Sequence, residues 1–217
     1  MTDLVAHRGF AAVHAENTVP AAGRAARVAD GVEVDVRRAA DDLVVVHDAT
    51  VDRVTDTTGR VETFSAGELA GLEVFDSGTG IPRLAEVIEA LPDSVTLHLE
   101  LKQRGLAADA LNVAGEHAGR VVVSAFDDAV LRETRRADPA THRAALFAPD
   151  ADPAAAVETA RDLGCVALHP HHSWAGDVVD TAHEAGLAVN AWTIERAATA
   201  ERLREAGVDG LIADRPV

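Results

Sequence analysis

The chain has 217 residues, 47% of them hydrophobic and only 3% aromatic, and its 36 acidic and 20 basic residues give a net charge of −16. Such a charge repels nucleic acids and anionic lipid surfaces, so neither is an expected partner. There is no run of about 18 apolar residues to cross a membrane, only three residues precede the first predicted strand, and Cys165 is the single cysteine, so we predict a cytoplasmic protein without membrane insertion.

Short β-branched runs alternate along the chain with alanine-rich amphipathic stretches. Strands are predicted over residues 4–7, 31–36, 94–102, 120–126, 142–147, 165–169, 187–193 and 209–213. Helices are predicted over residues 18–29, 83–91, 106–118, 127–137, 153–163, 176–185 and 196–206. Eight strands that alternate with helices favour an α/β protein with a closed (β/α)8 barrel, or TIM barrel. A doubly wound open sheet is the alternative.

Residues 37–82 interrupt this alternation. The segment DDLVVVHD adds an extended piece after strand 2, and a Gly/Thr-rich loop with one short helix near 65–70 follows it. We therefore predict one catalytic domain over residues 1–217, with a short site-lining insertion at about 37–82. Only four residues follow Ala213, so no full eighth outer helix is expected.

Ionisable residues gather where the early strands end. His7 and Arg8 end strand 1, His47 ends the extended piece, and Glu100 and Lys102 end strand 3. Lys102 is the only lysine in the chain. A barrel gathers its catalytic groups at the carboxyl ends of its strands, so this placement predicts an active site there.

Period-two alternation places Glu33 and Asp35 on one face of strand 2, and Glu100 lies on the next strand. If these faces point into the barrel, three carboxylates are buried together, which is unfavourable unless a cation neutralises them. The pattern predicts an oxygen-ligand site for a divalent metal, Mg²⁺ or Ca²⁺. The alternative is that no metal binds and that the carboxylates are neutralised by basic side chains, namely those of Arg8, Arg37 or Lys102.

Two histidines, His7 and His47, suit paired acid and base catalysis near neutral pH. Asp48 is the adjacent partner of His47. Arg8 and Lys102 would supply the positive charge that an anionic phosphoryl group needs in an acidic protein.

Two other polar residues are expected to face the barrel interior without acting as catalysts. Ser124 faces the barrel mouth but lacks the Gly-x-Ser-x-Gly pattern of a hydrolase nucleophile, so we expect it to form a hydrogen bond within the site. His98 lies one layer below Glu100 and is predicted to be a hydrogen-bonded core histidine.

The motifs of this chain, taken together and in order, resemble those of the glycerophosphodiester phosphodiesterase family. They are HRG (7–9), ENT (16–18), EVDV (33–36), VVVHD (44–48), IPRLAEVI (81–88), LELK (99–102), VSAF (123–126), NAWT (190–193) and GVDGLIADRP (207–216). The resemblance covers essentially the whole chain. It implies a (β/α)8 barrel, a divalent metal, and hydrolysis of a small anionic glycerophosphodiester to glycerol phosphate and an alcohol.

By motif position, the resemblance also implies a role for individual residues. His7 and His47 would be the acid and base. Glu33, Asp35 and Glu100 would bind the metal, and Arg8 and Lys102 the phosphate. Supporting positions would be Glu16 and Asn17, which buttress the first loop, and Trp192, which packs against the glycerol. The chain departs from the family at 37–42, where RRAADD places Asp42 at a position usually occupied by glycine.

Two rival functions remain open at this point. A lyase resembling phosphatidylinositol phospholipase C has a similar barrel and histidine pair but needs an apolar rim to meet a bilayer. A non-catalytic barrel that binds glycerophosphodiesters or metal would be expected to lack a histidine, and both are present. The sequence does not separate attack through a cyclic phosphate from direct attack by water.

The missing outer helix predicts an uncovered seam between the last strand and the first. If His7 points toward the site, Leu4 and Ala6 point outward, with no segment left to cover them. Contiguous exposed apolar patches usually mark contact surfaces, so we predict a homodimer across this seam. The alternative is that helices 18–29 and 196–206 lean together and close the gap.

Overall fold

The strands of the computed structural model, which describes residues 1–217, form one sheet closed into a barrel. The strands are β1 (Asp3–Ala6), β2 (Gly31–Arg38), β3 (Leu43–Val45), β4 (Thr96–Leu101), β5 (Val121–Ala125), β6 (His142–Phe147), β7 (Ala167–Pro170), β8 (Ala188–Ile194) and β9 (Gly210–Ala213). Eight of them are parallel, and β1 closes the ring by pairing with both β2 and β9. The predicted (β/α)8 barrel is confirmed, and the open-sheet alternative is wrong.

Eight α-helices connect the strands, most of them shorter than predicted. They are α1 (Val19–Ala25), α2 (Ala66–Ala70), α3 (Leu84–Glu89), α4 (Ala107–Ala114), α5 (Asp128–Ala137), α6 (Pro153–Asp162), α7 (Val179–Glu184) and α8 (Ala197–Glu205). Side chains of Thr18, Asp127 and Asp152 accept hydrogen bonds from the first turns of α1, α5 and α6, which fixes where these helices begin. None of the helices is both long enough and apolar enough to cross a bilayer.

The alternating side chains of β2 separate two environments. Val32, Val34 and Val36 face outward into the main core between barrel and helices. Glu33 and Asp35, on the opposite face, are only 4% and 0% exposed and lie inside the barrel. A one-residue slip would move the valines inside and the carboxylates outside, so burial of apolar surface, at about 25 cal/mol per Å², fixes the register. The carboxylates are therefore carried inward by the packing of the valines.

The insertion after β2 has a small core of its own. Strand β3 pairs antiparallel with β2, and the turn between them includes Asp42, which does not adopt a positive φ, so the missing glycine causes no strain. The ten buried residues of this small core are Ala39, Val44, Val46, Val51, Val54, Val61, Ala66, Leu69, Val74 and Ile81. They stabilise the insertion independently of the main core.

The expected uncovered seam between β1 and β9 is not found, and that expectation is wrong. No helix follows β9 in residues 214–217, as predicted. Ala6 and Leu211 nevertheless are 0% exposed, and they belong to the same core as Ala25 of α1 and Leu203 of α8. Because the neighbouring helices cover the strands, the seam no longer supports a homodimer.

Candidate active site

A tight turn, His7–Gly9, follows β1 directly and places two functional side chains, His7 and Arg8, at the mouth of the barrel. Arg8 and Gly9 adopt positive φ angles of 51° and 75°. A Cβ atom on Gly9 would lie 2.8 Å from the carbonyl carbon of Ala21, so only glycine lets this turn pack against α1. The turn therefore requires the glycine of the HRG sequence.

A cavity of about 70 Å³ lies at the carboxyl ends of the strands and collects eight of the predicted site residues. Its lining is His7, Arg8, Glu33, His47, Glu100, Lys102, Ser124, Phe126, Leu146, His169, Trp192, Thr193 and Ile212. The insertion contributes His47 alone to this lining. A larger cavity, of about 250 Å³, lies at the other end of the barrel and contains none of the predicted site residues.

Glu33, Asp35 and Glu100 form the predicted acidic cluster. One carboxylate oxygen of each lies within 4.8 Å of the others, and the β2–β4 register places Asp35 opposite Glu100. Oε1 of Glu33 and Oδ1 of Asp35 are buried without a hydrogen bond. Buried anionic oxygens without donors are unfavourable, and hard divalent cations bind such oxygens. The three residues therefore fit a divalent metal.

Basic side chains neutralise part of this cluster. The Lys102 ammonium contacts Glu100 and lies 3.2 Å from Asp35 Oδ1, an ion pair without hydrogen-bond geometry. The Arg8 Nε lies 3.1 Å from Asp35 Oδ2. Three ionised carboxylates and two cations leave one negative charge in excess. The ion pairs therefore neutralise only part of the cluster.

Burial and charge shift the pKa values of two of these carboxyls in opposite directions. Burial, reinforced by the Asp35 carboxylate, raises the pKa of Glu33 to about 8. Burial alone would also raise the pKa of Asp35, but Lys102 and Arg8 together lower it to about 2. In the metal-free protein at neutral pH, Glu33 therefore holds a proton, and this relieves the excess charge.

We expect the metal-free protein to lose stability as the pH rises through about 8, where folded Glu33 titrates. The unfolded carboxyl titrates near 4.5, so the folded state holds an extra proton between these values. This contribution to stability is complete below the unfolded pKa and is lost as the pH passes the folded pKa. The melting temperature in chelator across this range measures it.

A matched pair of variants isolates the contribution of Glu33 to this pH dependence. Glu33→Gln should flatten the fall in melting temperature, because the amide does not titrate. Glu89→Gln, an exposed change on α3, should keep the wild-type slope. Parallel slopes for wild type and Glu33→Gln would contradict the assignment.

Each of the two histidines predicted as acid and base is held through its Nδ1 atom by an aspartate. His7 Nδ1 lies 2.6 Å from Asp214 Oδ1, and His47 Nδ1 lies 2.7 Å from Asp48 Oδ1. An ionised carboxylate can only accept, so each Nδ1 carries a proton and each Nε2 is left to exchange one. The His7 Nε2 lies 4.0 Å from Glu33 Oε2, next to the acidic cluster.

Asp214 was not identified as a site residue from the sequence. It directly follows β9, so its place at the end of a barrel strand was the available signal. Burial alone would lower the pKa of His7, but the hydrogen bond that His7 donates to Asp214 and the charge of Glu33 raise it above its usual value. Asp214 therefore both orients His7 and favours its protonated form.

The residues predicted to support the first loop lie behind the cavity. Asn17 Nδ2 donates to Asp35 Oδ2 at 2.7 Å, and the Asp35 backbone N–H donates to Asn17 Oδ1 at 3.2 Å. Glu16 accepts hydrogen bonds from Arg8 at 3.1 Å and from both terminal nitrogens of Arg53 at 2.7 and 3.0 Å. Arg53 was not predicted, because nothing in its Gly/Thr-rich loop marks it.

The opposite wall of the cavity is largely apolar. The Trp192 indole N–H donates to the His169 carbonyl at 2.8 Å, and its ring meets Phe126 edge to face at 5.5 Å. Phe126 is 48% exposed at the mouth and was not predicted, although it directly follows β5. Ser124 is buried in the same lining, but its side chain makes no hydrogen bond within the protein, so the expected hydrogen bond in the site stays a prediction.

His98 is a buried histidine outside the candidate cavity, as predicted, but the hydrogen bond predicted for it is wrong. Its Nδ1 is buried without a hydrogen-bond partner, so it is not a hydrogen-bonded core histidine. Burial and the charge of Arg120 lower its pKa to about 4, which keeps the ring neutral. Arg37, considered above as a partner of the carboxylates, instead donates to the His47 carbonyl at 2.8 Å.

Known proteins are similar to this one over nearly its whole sequence. The model of the glycerophosphoryl diester phosphodiesterase family matches residues 7–217. The glycerophosphodiester phosphodiesterase of Caldanaerobacter subterraneus subsp. tengcongensis is 32% identical, over 99% of this chain and 95% of that protein. The protein of the same name from Bacillus altitudinis is 30% identical, over 100% and 96% of the two chains.

The fold agrees with that of a solved structure as well. A phosphodiesterase of Oleispira antarctica, determined in complex with the product sn-glycerol-3-phosphate, is 29% identical and superposes with a TM-score of 0.91. The match covers 100% of this chain and 94% of that one. Since the family model matches residues 7–217 and relatives of this name are 30% or more identical over nearly the whole chain, the chain belongs to the glycerophosphoryl diester phosphodiesterase family.

Proposed function

We propose that this site hydrolyses glycerophosphodiesters to glycerol phosphate and an alcohol, with residues 1–217 acting as one catalytic domain. The observation that carries the proposal is the pairing of two aspartate-held histidines with an acidic cluster and two cations around one cavity. Membership of the family and the product complex of the Oleispira relative support it. The enzyme is accordingly a phosphoric diester hydrolase.

We propose that Glu33, Asp35 and Glu100 hold a divalent cation, Mg²⁺ or Ca²⁺. When bound, such an ion polarises a phosphoryl oxygen and makes a nearby hydroxyl or water more acidic. Two buried oxygens without a hydrogen bond support this role: Oε1 of Glu33, and Oδ1 of Asp35, which has only its ion pair with Lys102. Asn17 supports it indirectly, because it fixes the orientation of the Asp35 carboxylate.

The substrate phosphate would be held by the two cations that border the cavity. Arg8 and Lys102 each form an ion pair with Asp35. These ion pairs hold both cationic side chains at the cavity before the substrate enters. A charged donor aimed at a phosphoryl oxygen also stabilises the charge that develops during the reaction. Trp192 and Ser124 would contact the glycerol moiety, since they line the same cavity.

His7 and His47 would transfer the two protons that the reaction requires. One Nε2 accepts a proton from the attacking hydroxyl or water, and the other donates a proton to the departing alcohol. Asp214 and Asp48 stabilise the imidazolium form that each ring passes through. If the glycerol hydroxyl attacks first, a cyclic phosphate forms and is then opened by water with the roles reversed; otherwise water attacks directly.

The proposed function is tested by assaying the purified protein against a panel of glycerophosphodiesters with different alcohols. We expect release of glycerol 3-phosphate, dependent on added Mg²⁺ or Ca²⁺ and lost in chelator. ³¹P NMR during turnover separates the two routes by the presence or absence of a transient cyclic phosphate. Accumulation of the cyclic phosphate as the end product would indicate a lyase, and metal-dependent binding without turnover would indicate a binding module.

The homodimer and the cytoplasmic location of the protein stay predictions. Since the β1–β9 seam is buried within one chain, the homodimer has lost the observation on which it was based. Light scattering decides this point, and the mass of a single chain would reject the dimer. The cytoplasmic location depends on the single cysteine, Cys165, which is buried and unpaired.

A further inference from the structure

Arg53, which lies outside the catalytic cavity, joins the two loops that carry the catalytic groups. Its Nε donates to Asp48 Oδ2, and its two terminal nitrogens donate to the carboxylate of Glu16 at 2.7 and 3.0 Å. Glu16 belongs to the loop after β1, whereas Asp48 belongs to the insertion after β2. One guanidinium therefore ties the insertion to the first loop.

The contacts continue from Arg53 into the site on both sides. On one side, Asp48 uses its second oxygen to hold His47 at 2.7 Å. On the other side, Glu16 contacts Arg8 at 3.1 Å, and Arg8 contacts Asp35 at 3.1 Å. The chain of charged contacts thus runs from a proposed proton-transfer group to the acidic cluster.

The two sides depend on Arg53 to different degrees. Without Arg53, Arg8 would keep both of its carboxylate partners, Glu16 and Asp35. Asp48 has a side chain that is 31% exposed, and its only side-chain partners are His47 and Arg53. Without Arg53 its carboxylate would be free to rotate toward water, and His47 would lose the orientation of its ring.

The insertion holds Arg53 from its outer side. The guanidinium carbon lies 5.9 Å from the centre of the Phe75 ring, within the range of a cation–π contact. Phe75 is placed there by its backbone N–H, which donates to the Val54 carbonyl at 2.9 Å. Val54 is part of the small core of the insertion. The fold of the insertion therefore determines where Arg53 lies.

We propose that Arg53 is a positioning residue for His47, and that the insertion after β2 serves this reaction by holding Arg53 between Asp48 and Glu16. This inference rests on the proposed function, in which His47 transfers a proton. It assigns to the insertion a role other than covering the substrate, because His47 is the only insertion residue in the cavity lining.

The test compares kcat and KM of Arg53→Ala with those of the wild type. We expect kcat to fall by roughly 10–100-fold, the loss typical of removing a partner that orients a functional side chain. KM should change far less, because Arg8 keeps its partners. Arg53→Lys should recover only part of kcat, since an ammonium does not reproduce the fork of the guanidinium. Free guanidinium at non-denaturing concentration should partly restore Arg53→Ala.

Double variants separate positioning from general damage. Arg53→Ala combined with Asp48→Asn should be no slower than Asp48→Asn alone, because both changes act through the same contact with His47. Arg60→Ala is the matched control, since Arg60 lies in the same insertion and pairs with exposed Glu62 at 2.7 Å. It should leave kcat unchanged. Phe75→Ala should lower kcat less than Arg53→Ala and serves in its place if that variant does not fold.

Several results would overturn the inference. One is a wild-type kcat for Arg53→Ala, or for Phe75→Ala if it is used instead. Another is a double variant in which the two losses of kcat multiply. If His47→Ala is inactive in the same experiment, the proposed function stands and only the role of Arg53 is rejected. If His47→Ala itself keeps its activity, the proposed function fails, and the positioning role fails with it.

Discussion

Replacement of His7 or His47 by alanine should lower kcat by roughly 10²–10⁴-fold, the usual contribution of a positioned acid or base. His7 and His47 are each proposed to move one proton. No other histidine at the mouth of the barrel is hydrogen-bonded to an aspartate. The loss should appear in kcat at saturating substrate and metal, since neither ring is proposed to bind the phosphate.

The matched control for these variants is another histidine–aspartate pair in the same chain. His183 Nε2 lies 2.8 Å from Asp209 Oδ2, and the two side chains are 43% and 44% exposed. Asp209 lines the cavity at the opposite end of the barrel. His183→Ala should therefore keep wild-type kcat. Thermal unfolding of all three variants verifies that each is folded.

A substrate whose leaving group needs no proton distinguishes the acid from the base. With a nitrophenyl ester, the variant that lacks the general acid should recover much of its rate, whereas the variant that lacks the general base should not. Near-wild-type turnover by either alanine variant on a natural diester would show that the acid and base assignment is wrong.

The parts of the site that follow from local pattern were predictable from the sequence. The valines of β2 must face the helices, so alternation alone carries Glu33 and Asp35 into the barrel. The end of β1 likewise places His7 at the mouth, because parallel strands of a barrel end on one side. His47 reaches the same cavity by another route, since it follows β3, which runs antiparallel to β2.

The parts that depend on contacts between distant segments were not predictable. The contact between Asp214 and His7 spans almost the whole chain and exists only once β9 pairs with β1. Arg53 reaches Glu16 only because the small core of the insertion folds back over the first loop. The covered seam depends on how closely the helices pack, which no periodicity encodes.

Removal of the divalent cation should abolish turnover and also lower the melting temperature. A ligand that binds only the folded state stabilises it, by about 2.7 kcal/mol at a concentration 100 times its Kd. Dialysis against chelator followed by titration with Mg²⁺ or Ca²⁺ measures both effects on one sample. Chelator presaturated with Ca²⁺ is the control for direct effects of the chelator on the protein.

Variants of the acidic cluster test whether the effects of metal removal depend on these particular carboxylates. Glu100→Gln preserves the size of the side chain but removes a charged ligand, so metal affinity and kcat should fall together. Glu116→Gln, on the surface, should leave both unchanged. Turnover that survives exhaustive chelation, together with no heat of binding in calorimetry, would contradict the metal assignment.

The proton on Glu33 provides a check on the metal site that needs no substrate. Because burial and Asp35 raise the pKa of Glu33 to about 8, the metal-free carboxyl is protonated at pH 6.5. A carboxylate must lose its proton to bind a cation, so metal binding at this pH should release close to one proton. Calorimetry in buffers of different ionisation enthalpy counts that proton. Glu33→Gln should bind more weakly and release none, whereas binding without proton release in the wild type would place the metal away from Glu33.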